Sequence, residues 1–296
     1  MGYSLARELS GNGIHIYAIC RENSNNIARL TNLPNITIIK SDLSCAESIT
    51  GLDDCSVFYH LAWDSSNGYD DFTQQYSNVG MTLNCLRLAA SIGCKRFVCT
   101  GSQAEYGNVE GLITEETPLR PTTAYGACKV AAYYLVSALA KKLNIEYIWL
   151  RVFSVYGPND RPSSLIMWLL REWFAGRDVK LRTNGNHIWN YLYEADAARA
   201  LHLLGSAESA ANRVYNLAGK QNRILRSYIM DMRKVIPSAP ITHYGAERSQ
   251  VNLDVSVYKL LSDIGEYESL GFEEGIAKIL DACFKESKMK GGKYVI

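Results

Sequence analysis

The chain has 296 residues, enough for one large α/β domain with a lobe or for two small domains. It is 47% apolar and 21% charged with a net charge of +1, a balance that gives no reason to expect nucleic acid or an anionic membrane as partner. No apolar run approaches the length of a membrane span, and Arg7, Glu8 and Asn12 interrupt any apolar leader core. The eight cysteines form no Cys-x-x-Cys pair, which argues for free thiols in a reducing cytosol and against a disulfide framework or a zinc site.

In chain order, residues 3–10 read as a helix, Gly11-Asn12-Gly13 as a turn, and 14–20 and 36–40 as strands. Further strands follow at 57–61, 96–100, 147–152 and 214–217, with helices at 44–50, 77–93 and 124–143 between them. Several of these runs are too uniformly apolar to have a wet face, as in parallel strands covered on both sides. Strict alternation of strand and helix predicts a doubly wound parallel sheet. After Val152 the rhythm changes: Pro158 and Pro162 punctuate a loop, 163–176 reads as a helix, and the chain past Gly219 is helical with short extended pieces. The division expected is a dinucleotide-binding part at 1–160, with a return near 190–217, and a smaller substrate lobe formed mainly by 161–296.

A dinucleotide-binding domain opens with a strand, a glycine-rich turn and a helix whose N-terminus faces the pyrophosphate. This sequence begins in the helix, with Gly2 where the third glycine of that fingerprint falls. The expectation is a Rossmann-like sheet lacking its first strand, with unpaired edges in its middle.

Tyr125 and Lys129 lie one turn apart in the predicted helix 124–143 and share a face. A free phenol titrates near 10, and a fixed cation beside it favours the phenolate, which suits general acid–base work. Ser102, at the end of an apolar run, supplies a hydroxyl for the same substrate oxygen. Tyr-x-x-x-Lys pairs are also common on plain helix surfaces, so the surrounding motifs decide. At the end of the predicted strand 14–20, which corresponds to the second strand of a dinucleotide-binding fold, stands Arg21, followed by Glu22. An arginine there accommodates the 2′-phosphate of NADP, whereas an acid holds the ribose of NAD; NADP(H) is favoured over NAD.

Six segments in order carry a resemblance: Asp42-Leu43, His60-Leu61-Ala62, Asn78, Ser102 to Gly107, Tyr125 with Lys129, and Leu150 to Pro158. Together they resemble the extended short-chain dehydrogenase/reductases of the nucleotide-sugar epimerase/dehydratase family. The resemblance implies a catalytic set of Ser102, Tyr125 and Lys129. It implies cofactor contacts from Gly2, Arg21, Asp42, Leu43, Leu61, Ala62, Asn78, Thr100, Tyr125, Lys129 and Val152. Substrate contacts are implied for Ser102, Ser154, Trp189 and Arg248, with Arg161 a weaker candidate for a diphosphate. A homodimer in which the 124–143 helix takes part is implied as well.

The departures from the family pattern shape the functional expectation. Gln103 and Ala104 stand where family dehydratases carry an Asp-Glu pair, which argues against a 4,6-dehydratase. Ser154 replaces an asparagine, and Trp189 replaces an arginine; a tryptophan can stack on a base or sugar, or simply pack. The five histidines show no metal-ligand spacing, so no metal is expected. The reading is a cytoplasmic NADPH-dependent reductase of a nucleoside-diphosphate 4-keto-6-deoxy sugar. Its alternatives are an NAD-dependent nucleotide-sugar 4-epimerase and an inactive, binding-only relative.

Overall fold

A computed structural model describes residues 1–24, 27–247 and 251–289. The first half runs α1 (Gly2–Gly11), β1 (Ile16–Cys20), α2 (Ile27–Leu30), β2 (Ile36–Lys40), β3 (Val57–His60), α3 (Phe72–Ser91), β4 (Arg96–Ser102), α4 (Ala124–Leu143) and β5 (Glu146–Val152). The second half runs β6 (Ser154–Tyr156), α5 (Leu165–Phe174), β7 (Val179–Thr183), β8 (Ile188–Tyr193), α6 (Glu194–Ser206), β9 (Arg213–Leu217), β10 (Asn222–Ile224), α7 (Leu225–Val235), β11 (Thr242–Glu247), α8 (Tyr258–Ile264) and α9 (Phe272–Met289).

Strands β3, β4, β5 and β9 form a parallel sheet in the order β3-β4-β5-β9. Side chains alternate across it. Phe97, Cys99 and Trp149 face α3 and α4, where they meet Leu86, Ala89, Ala132 and Val136. Val98, Ile148 and Leu150 face the other way, onto Leu5 and Leu9 of α1, Leu201 and Leu204 of α6, and Leu260 of α8. Helices on both faces make the sheet doubly wound, as the alternation of the sequence predicts. Each fully covered Leu, Val or Phe contributes about 1.5–3 kcal/mol relative to exposure.

Strands β1 and β2 form a separate parallel pair. Among the described residues, β1 pairs only with β2 and β3 only with β4. Each therefore keeps one unpaired edge, and the physical trace is in their burial. All seven residues of β4 are buried, whereas all five of β1 and the first three of β3 are only half-buried. The reading that several of the apolar strands are covered on both sides thus holds for β4, while β1 and most of β3 are half-buried.

A second core joins α5, β7, α7 and α9, with Leu169, Leu170, Trp173, Ile229, Met232 and Ile276 at its centre. Two small sheets serve it: β10-β8-β6, in which β6 and β8 are parallel, and the parallel pair β11-β7. Helix α6 and the strands β6, β7, β8, β10 and β11 were not separated by sequence pattern. They are short, and their apolar residues face two different cores.

Candidate active site

The site is built where β4 ends and α4 begins. Ser102 closes β4, and a short helical turn follows at Gln103–Glu105. Two hydrogen bonds lock that turn: the Ser102 backbone N–H donates to Glu105 Oε1 at 2.8 Å, and Ala104 N–H donates to Ser102 Oγ at 3.2 Å. Glu105 is 0% exposed. Its carboxylate also accepts from Trp149 Nε1 at 3.0 Å and from Arg151 Nε at 2.9 Å. Arg151 Nη1 continues the network to Tyr106 Oη at 2.9 Å, which donates to Asn216 Oδ1 at 2.6 Å. Burial raises the Glu105 carboxyl above its ordinary value, and the Arg151 guanidinium pulls the other way. Gly101 leaves room for this cluster: a Cβ there would run into the Glu105 carboxylate and the Trp149 indole.

Helix α4 starts after Thr123, whose hydroxyl accepts from Gly126 N–H at 3.0 Å. That cap sets Tyr125 in the first turn and Lys129 one turn further on. Lys129 is 2% exposed, and its Nζ donates to the Thr100 carbonyl at 2.7 Å. The ammonium also lies 3.6 Å from the centroid of the Trp63 ring. Burial pulls the Lys129 pKa down to about 8, against the opposing fields of Cys99 and Glu105.

Tyr125 departs from the expectation that the lysine lowers its pKa. Burial raises it, and a hydrogen bond with the Ser102 hydroxyl works against that rise. The cation that helps to lower it is Arg161. Lys129 turns its charge toward Thr100 and Trp63 and stands 5.8 Å from the Tyr125 ring centroid. Around the phenol, Trp63 meets Tyr125 edge-on at 6.0 Å and Tyr69 lies tilted at 5.0 Å. Tyr125 N–H donates to the Tyr69 carbonyl at 2.8 Å, and Arg161 Nη1 donates to the Tyr69 hydroxyl.

The remaining predicted residues fall in several places. Asn78 is buried and clamps the loop after β3: Oδ1 accepts from Asp64 N–H at 2.7 Å and Nδ2 donates to the Asp64 carbonyl at 2.8 Å. Its work here is on the loop. Leu61 and Val152 are half-buried against the first core, and Ala62 is exposed. Thr100 reaches the site through its carbonyl. Arg21 and Asp42 follow the ends of β1 and β2, close enough for the arginine to lower the Asp42 pKa; the first cause of that lowering is hydrogen bonding from Ser44. Leu43 packs toward the core shared with α3. Gly2 opens α1, and a Cβ there would meet nothing within 4 Å, so packing does not require a glycine. Ser154 is half-buried in β6, opposite Tyr191. Trp189 is half-buried between two apolar clusters, edge-on to His187 at 5.6 Å. Arg248 lies outside the described residues.

Trp63, Tyr69 and Glu105 are the site residues that motif reading passed over. Glu105 lies inside Ser102 to Gly107 and Trp63 directly follows His60-Leu61-Ala62, so a place in or beside a motif was the signal for those two, while Tyr69 lies in none of the motifs.

A dinucleotide fits these residues at both ends. Lys129 keeps donors beyond the one spent on Thr100, and Gln103 Oε1, next to Ser102, is buried without a hydrogen-bond partner among the described residues. At the other end, Arg21 and Asp42 mark the carboxyl ends of two parallel strands, where α/β sheets bind nucleotides. Among the described residues no group of three or more His, Cys, Asp or Glu could hold a metal, and no helix is long and apolar enough to cross a membrane.

The sequence profile of the NAD dependent epimerase/dehydratase family matches residues 1–218. Over 264 residues the chain is 24% identical to the trifunctional UDP-glucose 4,6-dehydratase/UDP-4-keto-6-deoxy-D-glucose 3,5-epimerase/UDP-4-keto-L-rhamnose-reductase RHM1 of Arabidopsis thaliana. That match covers 84% of this chain and 39% of the relative, so the chain spans well under half of that protein. Among solved structures, MoeE5 in complex with UDP-glucose and NAD is similar at a TM-score of 0.80 and 25% identity, over 95% of this chain and 94% of the other. The UDP-glucuronic acid 4-epimerase of Bacillus cereus superposes at a TM-score of 0.85 over 96% of each chain, with 19% identity, a likeness of fold.

Proposed function

The chain belongs to the NAD dependent epimerase/dehydratase family, and from that premise we propose that it is an NADPH-dependent reductase of a nucleoside-diphosphate 4-keto-6-deoxy sugar. One observation carries the reading: the Tyr125 phenol is buried between Trp63 and Tyr69 on the first turn of α4, and that burial raises its pKa and favours its protonated form, against the opposing pull of the Ser102 hydroxyl. No carboxylate stands at the two positions after Ser102. A protonated phenol is a proton donor, which is what carbonyl reduction requires.

When bound, the nicotinamide supplies hydride to the keto carbon. Tyr125 gives its proton to the carbonyl oxygen as that carbon is reduced, so a C=O becomes a CH–OH. Ser102 holds the same oxygen through its hydroxyl, and Glu105 fixes the Ser102 backbone beneath it. The Lys129 ammonium, directed at Thr100 and Trp63, adds a buried positive charge 5.8 Å from the Tyr125 ring that acts through space on the developing negative charge. Gln103 and Ala104 offer neither acid nor base for the loss of water at C6. Arg21, exposed at the end of β1, supports the 2′-phosphate of NADPH.

Purified protein is expected to consume NADPH absorbance with at least one member of a panel of CDP-, dTDP-, GDP- and UDP-linked 4-keto-6-deoxy sugars. Tyr125→Phe should lower kcat by about 10²–10⁴-fold. Unchanged absorbance across the panel would sink the reading. MoeE5 is a complex with NAD and a UDP-sugar, and a bound NAD in place of NADPH supports a second reading, an NAD-dependent nucleotide-sugar 4-epimerase. An epimerase would convert a UDP-hexose to its C4 epimer with no net consumption of nicotinamide, which the same assay with product chromatography distinguishes.

A further inference from the structure

Lys129 is a buried ammonium without an ion-pair partner among the described residues. Taking a charge out of water without pairing it is costly, and the usual result is neutralisation. The groups that face it are Cys99 on β4, His60 on β3, Glu105 on the turn after β4, and Tyr125 on its own helix. The Glu105 carboxylate is taken by Arg151, Trp149 and the Ser102 backbone. His60 is buried and neutral, with Nε2 3.0 Å from Thr82 Oγ1. Asp64, in the adjacent loop, accepts from Ser66 N–H at 3.0 Å. Of the three ammonium donors, one goes to Thr100 O. What meets the rest of the charge is the face of Trp63, 3.6 Å away at its centroid.

The indole is itself held in place. Trp63 Nε1 donates to Gln75 Oε1 at 2.7 Å, and Gln75, fully buried in α3, donates in turn to the Gly68 carbonyl at 2.8 Å. The next residue, Asp64, is clamped on both its backbone groups by Asn78. Two side chains of α3 therefore fix the angle at which the ring meets the lysine. Tryptophan is also the aromatic side chain that binds cations best, and the attraction strengthens when water is excluded.

We propose that Trp63 is a positioning residue of this enzyme: its indole face carries the Lys129 ammonium in place of a carboxylate, keeping the lysine charged and fixed next to the catalytic phenol. An aromatic face has a consequence that an acid would not. It stabilises the cation without adding a second negative charge near the oxygen that Tyr125 and Ser102 must stabilise. The role holds for hydride transfer in either direction and so does not depend on the reductase reading.

The test follows Lys129 by NMR in protein labelled with ¹³Cε-lysine, the signal being assigned by its loss in Lys129→Met. In the wild-type protein the ε-methylene protons are expected to be shifted upfield by the indole ring current. Trp63→Leu should move the Lys129 titration toward acid by about one unit or more. Trp63→Phe, which keeps a ring face, should move it by less than half as much. The basic limb of the kcat/KM profile should follow the same order. The absence of an upfield shift in the wild type would overturn the proposal without recourse to any variant. Equal titration of Lys129 in the wild type and Trp63→Leu, or equal displacement by leucine and phenylalanine, would overturn it as well.

Discussion

His60 ends β3 with its imidazole 3% exposed, and burial lowers its pKa from the ordinary 6.5 to about 3, with the Lys129 charge acting in the same direction. In the unfolded chain the ring takes up a proton near 6.5; in the folded protein it does so only near 3. Between those values the unfolded state holds more protons, so stability falls as pH falls through that window, by at most about 1.4 kcal/mol per pH unit. Urea denaturation at pH 7, 6, 5 and 4 checks this against His60→Gln. The stability difference between wild type and variant should narrow steadily below pH 6.5, and a difference independent of pH would contradict the buried neutral ring. Lys129 works in another window. Its folded pKa of about 8 lies below the ordinary 10.5, so the burial cost is fully present below 8 and is relieved as pH rises toward 10.5.

At the scale of elements, the site rests on two chain reversals, the Ser102–Glu105 turn and the start of α4. Thr123 caps α4 with its side chain, and the last turn ends at Asn144 in a left-handed conformation that asparagine tolerates. Thr123→Ala should cost about 1 kcal/mol of stability and also lower kcat, because the cap sets the first turn that carries Tyr125. Thr123→Ser should restore both, which denaturation and steady-state kinetics will show. Most of this region was legible in the sequence: 124–143 is the helix as read, and Ser102, Tyr125 and Lys129 converge. The pairing of Tyr125 with Lys129 was legible because a helix repeats every three to four residues, and Ser102 was legible through the motif that runs to Gly107. The aromatic partner of Lys129 was not, since Trp63 comes from a loop whose course depends on Asn78 and Gln75 of the next helix. The phenol's raised pKa was also hidden, because spacing along a helix says nothing of how deep the helix lies.

At the scale of the molecule, the outward faces of α3 and α4 expose large apolar side chains: Phe72 at 72%, Tyr76 at 76%, Tyr134 at 59% and Leu135 at 46%. The two helices lie side by side on one face of the main sheet, so their exposed rings belong to one side of the protein. Exposed apolar surface on one side of a protein favours association, and the prediction is a homodimer through these helices. Sedimentation equilibrium at micromolar concentration should give twice the monomer mass, and the double variant Tyr76→Glu, Leu135→Glu should sediment as a monomer with unchanged circular dichroism. The edges of β1 and β3 that are unpaired among the described residues are a second place where another chain could add, by backbone hydrogen bonds that side-chain charges on α3 and α4 would not disturb. The double variant separates the two routes. Loss of the dimer assigns association to the helix pair, a dimer that survives assigns it to the strand edges, and a wild-type protein that is already monomeric removes the homodimer altogether.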